Sequence, residues 1–329
     1  MTPPAAPAAE GPEPGTADRI RSSIEAMTAA VRAAAVEGGP WTGDLGEVTH
    51  RLRELARVDL CLSRLVEGHA DAVRILDQAD EKPASGVYGV WASRSVGTGV
   101  RAVRGAGRWR LQGQVRFASG IDLIDRALVP GWVDEDTHLL FDVPLGEVQP
   151  DRRTWRTSAM DASRSFTVKV DTVADDPIGP ENFYLARPGF VVGGLQVAAV
   201  WAGGVAGVVE LVATGLRDFR PGAHQLRRLG AMEQASWTAE TAVAHAVRRI
   251  AETSTVPVAD ITAARSAVVA AGEQVIDEAG RIVGPGGLSS HARLARTLAD
   301  LGIYLRQHHV DLIYEALGRE ALQHRQVLG

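Results

Sequence analysis

Apolar residues change their spacing twice along this chain, and that double change limits the folds open to it more than any single motif does. Over residues 17–79 they recur at steps of three and four, first in RIRSSIEAMTAAVRAAAV and then in LGEVTHRLRELARVDLCLSRLVEGHADAVRILDQA, with Gly38-Gly39-Pro40 between. Such spacing lines one face of a helix, and the Gly-Gly-Pro step breaks it. Over residues 87–186 the texture becomes strand-like. GVRAVRGAGRWRLQGQVRFAS alternates, and RALVPGWV, THLLFDVPL and RSFTVKVDTV are short apolar runs between Gly, Pro and Asp clusters. These predict an antiparallel β domain of several short strands. The strands do not alternate with helices, so a parallel nucleotide-binding sheet is not expected. Helical spacing then returns in four segments, about 194–216, 224–251, 257–283 and 289–323, separated at Pro221-Gly222, Thr255-Val256-Pro257 and Gly284-Pro285-Gly286-Gly287. Four long antiparallel helices make a bundle. The expected architecture is α+β: a disordered leader over 1–18, a helical N-terminal domain over 19–84, a middle antiparallel β domain over 85–190 and a C-terminal four-helix bundle over 191–329.

Composition narrows the function. A net charge of −5 gives no electrostatic case for nucleic acid or an anionic membrane. No run reaches the roughly 18 apolar residues of a spanning helix; the longest candidate, FVVGGLQVAAVWAGGVAGVVELVATGL, carries five glycines before Glu210 and reads as a buried helix preceded by a loop. The first residues, MTPPAAPAAEGPEPGTAD, lack the basic and apolar regions of a signal peptide, so a cytoplasmic location is expected. The one cysteine, Cys61, lies in an apolar pattern and reads as a packed thiol. There is no Gly-x-Ser-x-Gly elbow, phosphate-binding P-loop or dinucleotide fingerprint after a strand. AGGVAG, around Gly203 to Gly207, reads as close helix packing.

The order helices, β domain, bundle resembles the acyl-CoA dehydrogenase superfamily of flavoproteins. Four stretches carry the resemblance, in order: ELARVDLCLSRLVEGHADAVRIL, WRLQGQVRFASGIDLIDRALV, YLARPGFVVGGLQVAAVWAGGVAGVV and GPGGLSSHARLARTLADLGIYLRQHH. It covers about residues 45–320 and is nearest to short, divergent members. It implies FAD between the β domain and the bundle. Phe117 then falls where an aromatic ring lies near the isoalloxazine, and Ser119 where a hydroxyl meets it. Trp91 and Ser93, in GVWASRSVGTG, become flavin contacts or ordinary turn residues. Gly284, Gly286 and Gly287 stand where a glycine turn lets backbone N–H groups approach the FAD diphosphate, with the helix start at Ser289-Ser290 adding its dipole. The resemblance departs at Leu226, where the family has an Arg, and at Trp237, where it has a Gln.

The same resemblance sets the register of the catalytic base. From Gly287 to Asp300 the family spacing fits without a gap, and eight residues further on, where a Glu removes the substrate α-proton, this chain has His308. His309 follows it, the two pointing about 100° apart on one continuous helix. Glu315, in the tempting IYEALG, lies seven residues beyond and would need an insertion to be seated; Asp311 is a further alternative. Neighbouring helical histidines cannot chelate one metal, so no metal is expected. The leading expectation is an FAD-dependent oxidoreductase acting on an acyl thioester of CoA or a carrier protein, or on a similar small molecule, with His308 in the base position. The alternatives are a flavin-dependent monooxygenase, in which imidazole serves chemistry other than desaturation, and a non-catalytic subunit completing a partner's FAD site. A homodimer, a homotetramer or a heteromer with a related subunit is expected.

Overall fold

The computed structural model describes residues 15–95, 97–105, 107–217 and 220–327. Of the expected leader, residues 1–14 lie outside this description, and residues 16–18 already belong to the first helix. The N-terminal helices are α1 (Thr16–Ile20), α2 (Ile24–Arg32), a π-helical turn over Ala33–Glu37, α3 (Leu45–Val58) and α4 (Leu60–Gln78). Asp44 starts α3 by accepting from the Glu47 N–H at 3.0 Å. Asp59 ends α3 and starts α4, accepting from the Leu62 N–H at 2.9 Å, so one carboxylate sets the angle between two helices. Cys61, behind it, is fully buried.

The β domain is one sheet of β1 (Tyr88–Val90), β2 (Gly99–Gly105), β3 (Arg108–Ala118), β4 (Arg126–Trp132), β5 (His138–Pro144), β6 (Gln149–Asp151) and β7 (Phe166–Ala174), in the order β1-β4-β2-β3-β7-β6 with β5 on β4. The β2–β3, β3–β7, β4–β5 and β6–β7 pairs are antiparallel, as expected, but β4 runs parallel to both β1 and β2. The chain returns from β3 to insert β4 beside earlier strands, a non-local pairing that local alternation cannot report. Its central five residues are all buried, which explains the continuous apolar run of RALVPGW.

A short α5 (Phe183–Ala186) leads into α6 (Gly189–Arg217), α7 (Ala223–Glu252), α8 (Val258–Ser290), α9 (Ala292–Leu305) and α10 (Val310–Val327). Helix α6 starts five residues earlier than expected and absorbs the stretch read as a loop. It is the one described helix long and apolar enough to cross a membrane, and most of it is packed inside the protein. Its glycines are contact points: a Cβ on Gly203 would collide with the Arg53 carbonyl oxygen of α3, and one on Gly204 with Leu60 of α4. Helix α8 breaks where the sequence places a break, at Gly284, whose φ of 60° is left-handed, but helix resumes to Ser290. The final segment, expected to be one helix over 289–323, is two. Helix α9 ends at Leu305, and the N–H groups of Arg306, Gln307 and His308 close back three residues onto Ile303, Tyr304 and Leu305. No described side chain of α10 is buried.

Candidate active site

Two walls meet where α4 lies on the β domain. The β wall is built around an irregularity in β3. The pairing with β7 shifts between Val115 and Ala118, and Phe117 takes a left-handed φ of 57° that is uncommon for an aromatic residue. The twist turns its ring outward, leaving it 52% exposed, edge-on to Trp155 at 6.4 Å and beneath the Arg116 guanidinium at 5.1 Å. A cavity of about 390 Å³ opens there, lined by Phe117, Trp155, Ser165, Thr167, Arg116 and Arg156 among others. Ser119 is buried, and a relay of hydroxyls supports it: Ser165 donates to Ser119 Oγ at 2.9 Å, Ser163 and Ser165 lie 2.7 Å apart, and Ser163 donates to the Met160 carbonyl at 2.6 Å. Trp91 is buried behind this turn and donates its Nε1–H to the Ser119 carbonyl at 2.9 Å. It holds Ser119 in place. Ser93 is half-buried and lines a separate cavity.

The other wall, called the bundle wall below, joins α4 of the N-terminal helices to α6, α8 and the end of α9, and it is ionic. Arg64 and Glu67, one turn apart on α4, pair at 2.7 Å with their side chains largely buried. Burial outweighs the neighbouring Arg64 and lifts the Glu67 carboxyl to about 7. Trp201 of α6 is fully buried. The Arg265 guanidinium lies 5.5 Å from its ring, and Tyr304 and His308 each meet it edge-on at 6.0 Å. The indole N–H of Trp201, the Tyr304 hydroxyl and Arg265 Nε are buried without a hydrogen-bond partner. A narrow crevice joins the walls, lined by Arg64, Leu65 and Gly68 of α4 and by Trp91, Ser119 and Ile124 of the β domain. His69 pins the walls together: its Nδ1 accepts from the Tyr88 N–H at 3.1 Å, and burial holds its pKa down at about 4.

The sequence-predicted residues separate. Phe117, Ser119 and Trp91 cluster at the β wall. His308 belongs to the bundle wall, buried and 3.0 Å from Ser266 Oγ; burial, then Arg265 and His309, lowers its pKa to about 4. His309 is exposed and lines, with His308, Glu273 and Asp311, a cleft of about 600 Å³. The two histidines do not share a helix as expected; they lie in the turn after α9. His308 nevertheless keeps the inward phase of Leu294, Leu298, Leu301 and Leu305, which continues at steps of three and four. Glu315 is exposed on α10 and paired with Arg319. Asp300 is structural: it is buried, binds Arg21 at 2.6 Å and accepts from the Met160 N–H at 2.5 Å. Gly284, Gly286 and Gly287 sit at the break in α8. Ser289 and Ser290 donate there to the Gly286 carbonyl inside α8, so they do not start the next helix as expected; His291 does. Leu226 and Trp237 are exposed on α7. Sequence reasoning missed Glu67, Arg64 and Arg265. The signal available for the first two was an Arg-x-x-Glu step in α4, which puts opposite charges one turn apart on one helix face.

No family model matches the chain, and no curated protein matches it in sequence. Solved structures do. TdsC of Paenibacillus sp. A11-2, a dibenzothiophene monooxygenase solved with FMN and indole, superposes with a TM-score of 0.76 at 17% identity, over 94% of each chain. MsuC of Pseudomonas fluorescens, a methanesulfinate monooxygenase, gives 0.75 at 16% identity, over 94% of this chain and 93% of its own. Butyryl-CoA dehydrogenase of Megasphaera elsdenii gives 0.76 at 16%, over 94% and 93%. The likenesses to the two monooxygenases correct the leading expectation. Both monooxygenases are named for small free molecules, with neither CoA nor a carrier protein, and the inward group at the end of α9 is an imidazole while Glu315 faces outward. An acyl-thioester dehydrogenase, and a CoA or carrier-protein thioester as its partner, are therefore set aside. The helical N-terminal region, curled sheet and C-terminal bundle are those of the acyl-CoA dehydrogenase fold.

Proposed function

We propose that this chain is a flavin-dependent monooxygenase acting on a small free substrate. The observation that supports the reading is the buried imidazole of His308, 3.0 Å from Ser266 Oγ and kept uncharged by burial, at the position where the sequence resemblance puts a dehydrogenase's ionised carboxylate. The likeness to TdsC and MsuC supports it.

The β wall fits a flavin, with FAD the form that the sequence resemblance implies. Phe117 offers an aromatic face, the Ser119–Ser165 hydroxyls offer hydrogen bonds, and Arg116 and Arg156 bring cations suited to phosphate into the same cavity. A reduced flavin, when bound, supplies the two electrons with which dioxygen places one atom in a substrate and leaves the other in water. The chain's own residues provide the setting. Glu67, with a carboxyl near 7, can hold or release a proton at neutral pH beside Arg64. His308 Nε2 shares a hydrogen bond with Ser266, and burial keeps the ring uncharged. The packed crevice around Trp91 and Arg64 keeps bulk water from the junction.

The test is direct. The purified chain, loaded with FAD and reduced without air, is mixed with isotopically labelled dioxygen and a panel of small aromatic and organosulfur compounds. Label in a product, lost in His308→Ala, is the expected result. Flavin reoxidation with no labelled product from any compound would overturn the reading.

A further inference from the structure

The hydroxyl relay behind Ser119 starts from a strained piece of backbone. Met160 takes a left-handed φ of 55° and Arg164 one of 49°, with a turn of 3-10 helix over Asp161–Ser163 between them. Each such residue costs about 1–3 kcal/mol and persists only where its surroundings hold it. This loop reaches the β wall by two routes. Ser163 contacts Ser165, which donates to Ser119. The Ser163 carbonyl accepts from the Gly120 N–H at 2.8 Å, one residue past Ser119. Both routes begin at the Met160 carbonyl, which accepts from the Ser163 N–H at 3.0 Å and from the Ser163 hydroxyl at 2.6 Å. The bearing of Met160 therefore aims Ser163, and Ser163 aims the turn at Ser119.

What holds Met160 lies outside the β domain. Its N–H donates to Asp300 Oδ1 of α9 at 2.5 Å, while Asp300 Oδ2 accepts from Arg21 Nη2 at 2.6 Å. The Asp300 side chain is 1% exposed and that of Arg21 8%. Among the described residues, the loop's other polar contacts with the helices are long: Cys61 Sγ is 3.8 Å from Met160 Sδ, and Arg21 Nη1 is 4.0 Å from Asp161. A carboxylate suits this place because two donors approach it and each takes one oxygen. An amide there has a single acceptor oxygen. The charge-assisted bond to Arg21 would claim it, leaving the amide N–H against the Met160 N–H. Asp300, Tyr304 and His308 follow one another at steps of four, and the last two meet Trp201. The element that seats the imidazole thus also ties down the loop beneath the β wall.

We propose that Asp300, clamped by Arg21, is a positioning residue: it orders the Met160 loop and through it aims the Ser119 hydroxyl. That the aimed hydroxyl serves FAD rests on the flavin seat at the β wall; that Asp300 orders the loop does not.

Asp300→Asn, nearly isosteric, tests the assignment by two measurements on the full chain. The first is hydrogen exchange by mass spectrometry without flavin. Peptides over 118–124 and 160–166 should exchange at least about tenfold faster than in wild type, with those of α6 and α8 unchanged. The second is FAD affinity, read by flavin fluorescence. Asp300→Asn and Ser165→Ala should each weaken it about fivefold, and the double variant should also lose about fivefold, because both cut one path. Ser163→Ala cuts the same path without removing a charge and should give the same pattern, which serves should Asp300→Asn fail to fold. Exchange that stays at the wild-type rate in the two loops, or rises throughout the chain, overturns the proposal. So does a double variant weakened by the product, about 25-fold, since independent effects multiply. Local loosening with FAD affinity unchanged in every variant leaves the tether standing and removes the flavin seat; FAD weakened by Ser165→Ala with neither loop loosened does the reverse.

Discussion

The two walls that meet at Arg64 and Trp91 are held by different physics. The bundle wall and its surroundings rest on buried charge: Arg64 with Glu67, Arg187 with Asp71 at 3.0 Å, and Arg21 bridging Asp59 and Asp300. The β wall rests on hydroxyls, backbone bonds and aromatic faces. A buried ion that loses its partner keeps its full desolvation cost, whereas a neutral hydroxyl that loses one partner costs little. The bundle side should therefore be unforgiving and the β side adaptable. The side that would face a planar cofactor is then the one that can adjust.

Graded substitutions can break that contrast. Arg21→Ala should cost the most, about 3–5 kcal/mol in urea unfolding, because it strips the shared cation from two buried carboxylates; a loss below about 1 kcal/mol would erase the asymmetry. Acid comes next. His69 and His308 stay neutral in the fold to about pH 4, while in the unfolded chain they take protons near pH 6.5, so stability should fall as pH drops from about 6.5 to 4. The His69 share is on the order of 3 kcal/mol, and His69→Gln should flatten that part of the profile. Glu67 has the opposite sign. Its raised folded pKa removes stability as pH rises from about 4.5 to 7, and Glu67→Gln should abolish this slope in the same titration. On the β wall, Ser165→Ala should cost only about 1 kcal/mol and weaken FAD binding modestly, read by flavin fluorescence. Least of all, Glu315→Ala should change stability by less than about 0.5 kcal/mol and leave turnover intact, since its pair with Arg319 is exposed.

Periodicity made the layers of the fold legible, because each helix and strand buries one face and the local pattern records it. Gly284 announced its break because its conformation favours glycine. The insertion of β4 between β1 and β2 was not legible, since parallel pairing across a long crossover leaves no local trace. Nor was the turn at 306–309: the inward phase runs from Leu305 to His308 without interruption, so the pattern continues where the helix stops. Of the candidate site, Phe117 and Ser119 followed from the resemblance. Arg21 and Asp300 lie 279 residues apart, and only tertiary structure pairs them.

The missing side chain at Gly203 reaches further than one helix contact. With the α3 backbone lodged against it, α6 can neither roll about its axis nor slide by a residue without steric collision. Trp201 stands two positions away on the same rigid rod, so the bearing of its indole, and with it the seats of Arg265, Tyr304 and His308, is indexed by an empty space. A single added methyl group there would misalign the ionic wall from behind, leaving every residue that lines it unchanged in identity.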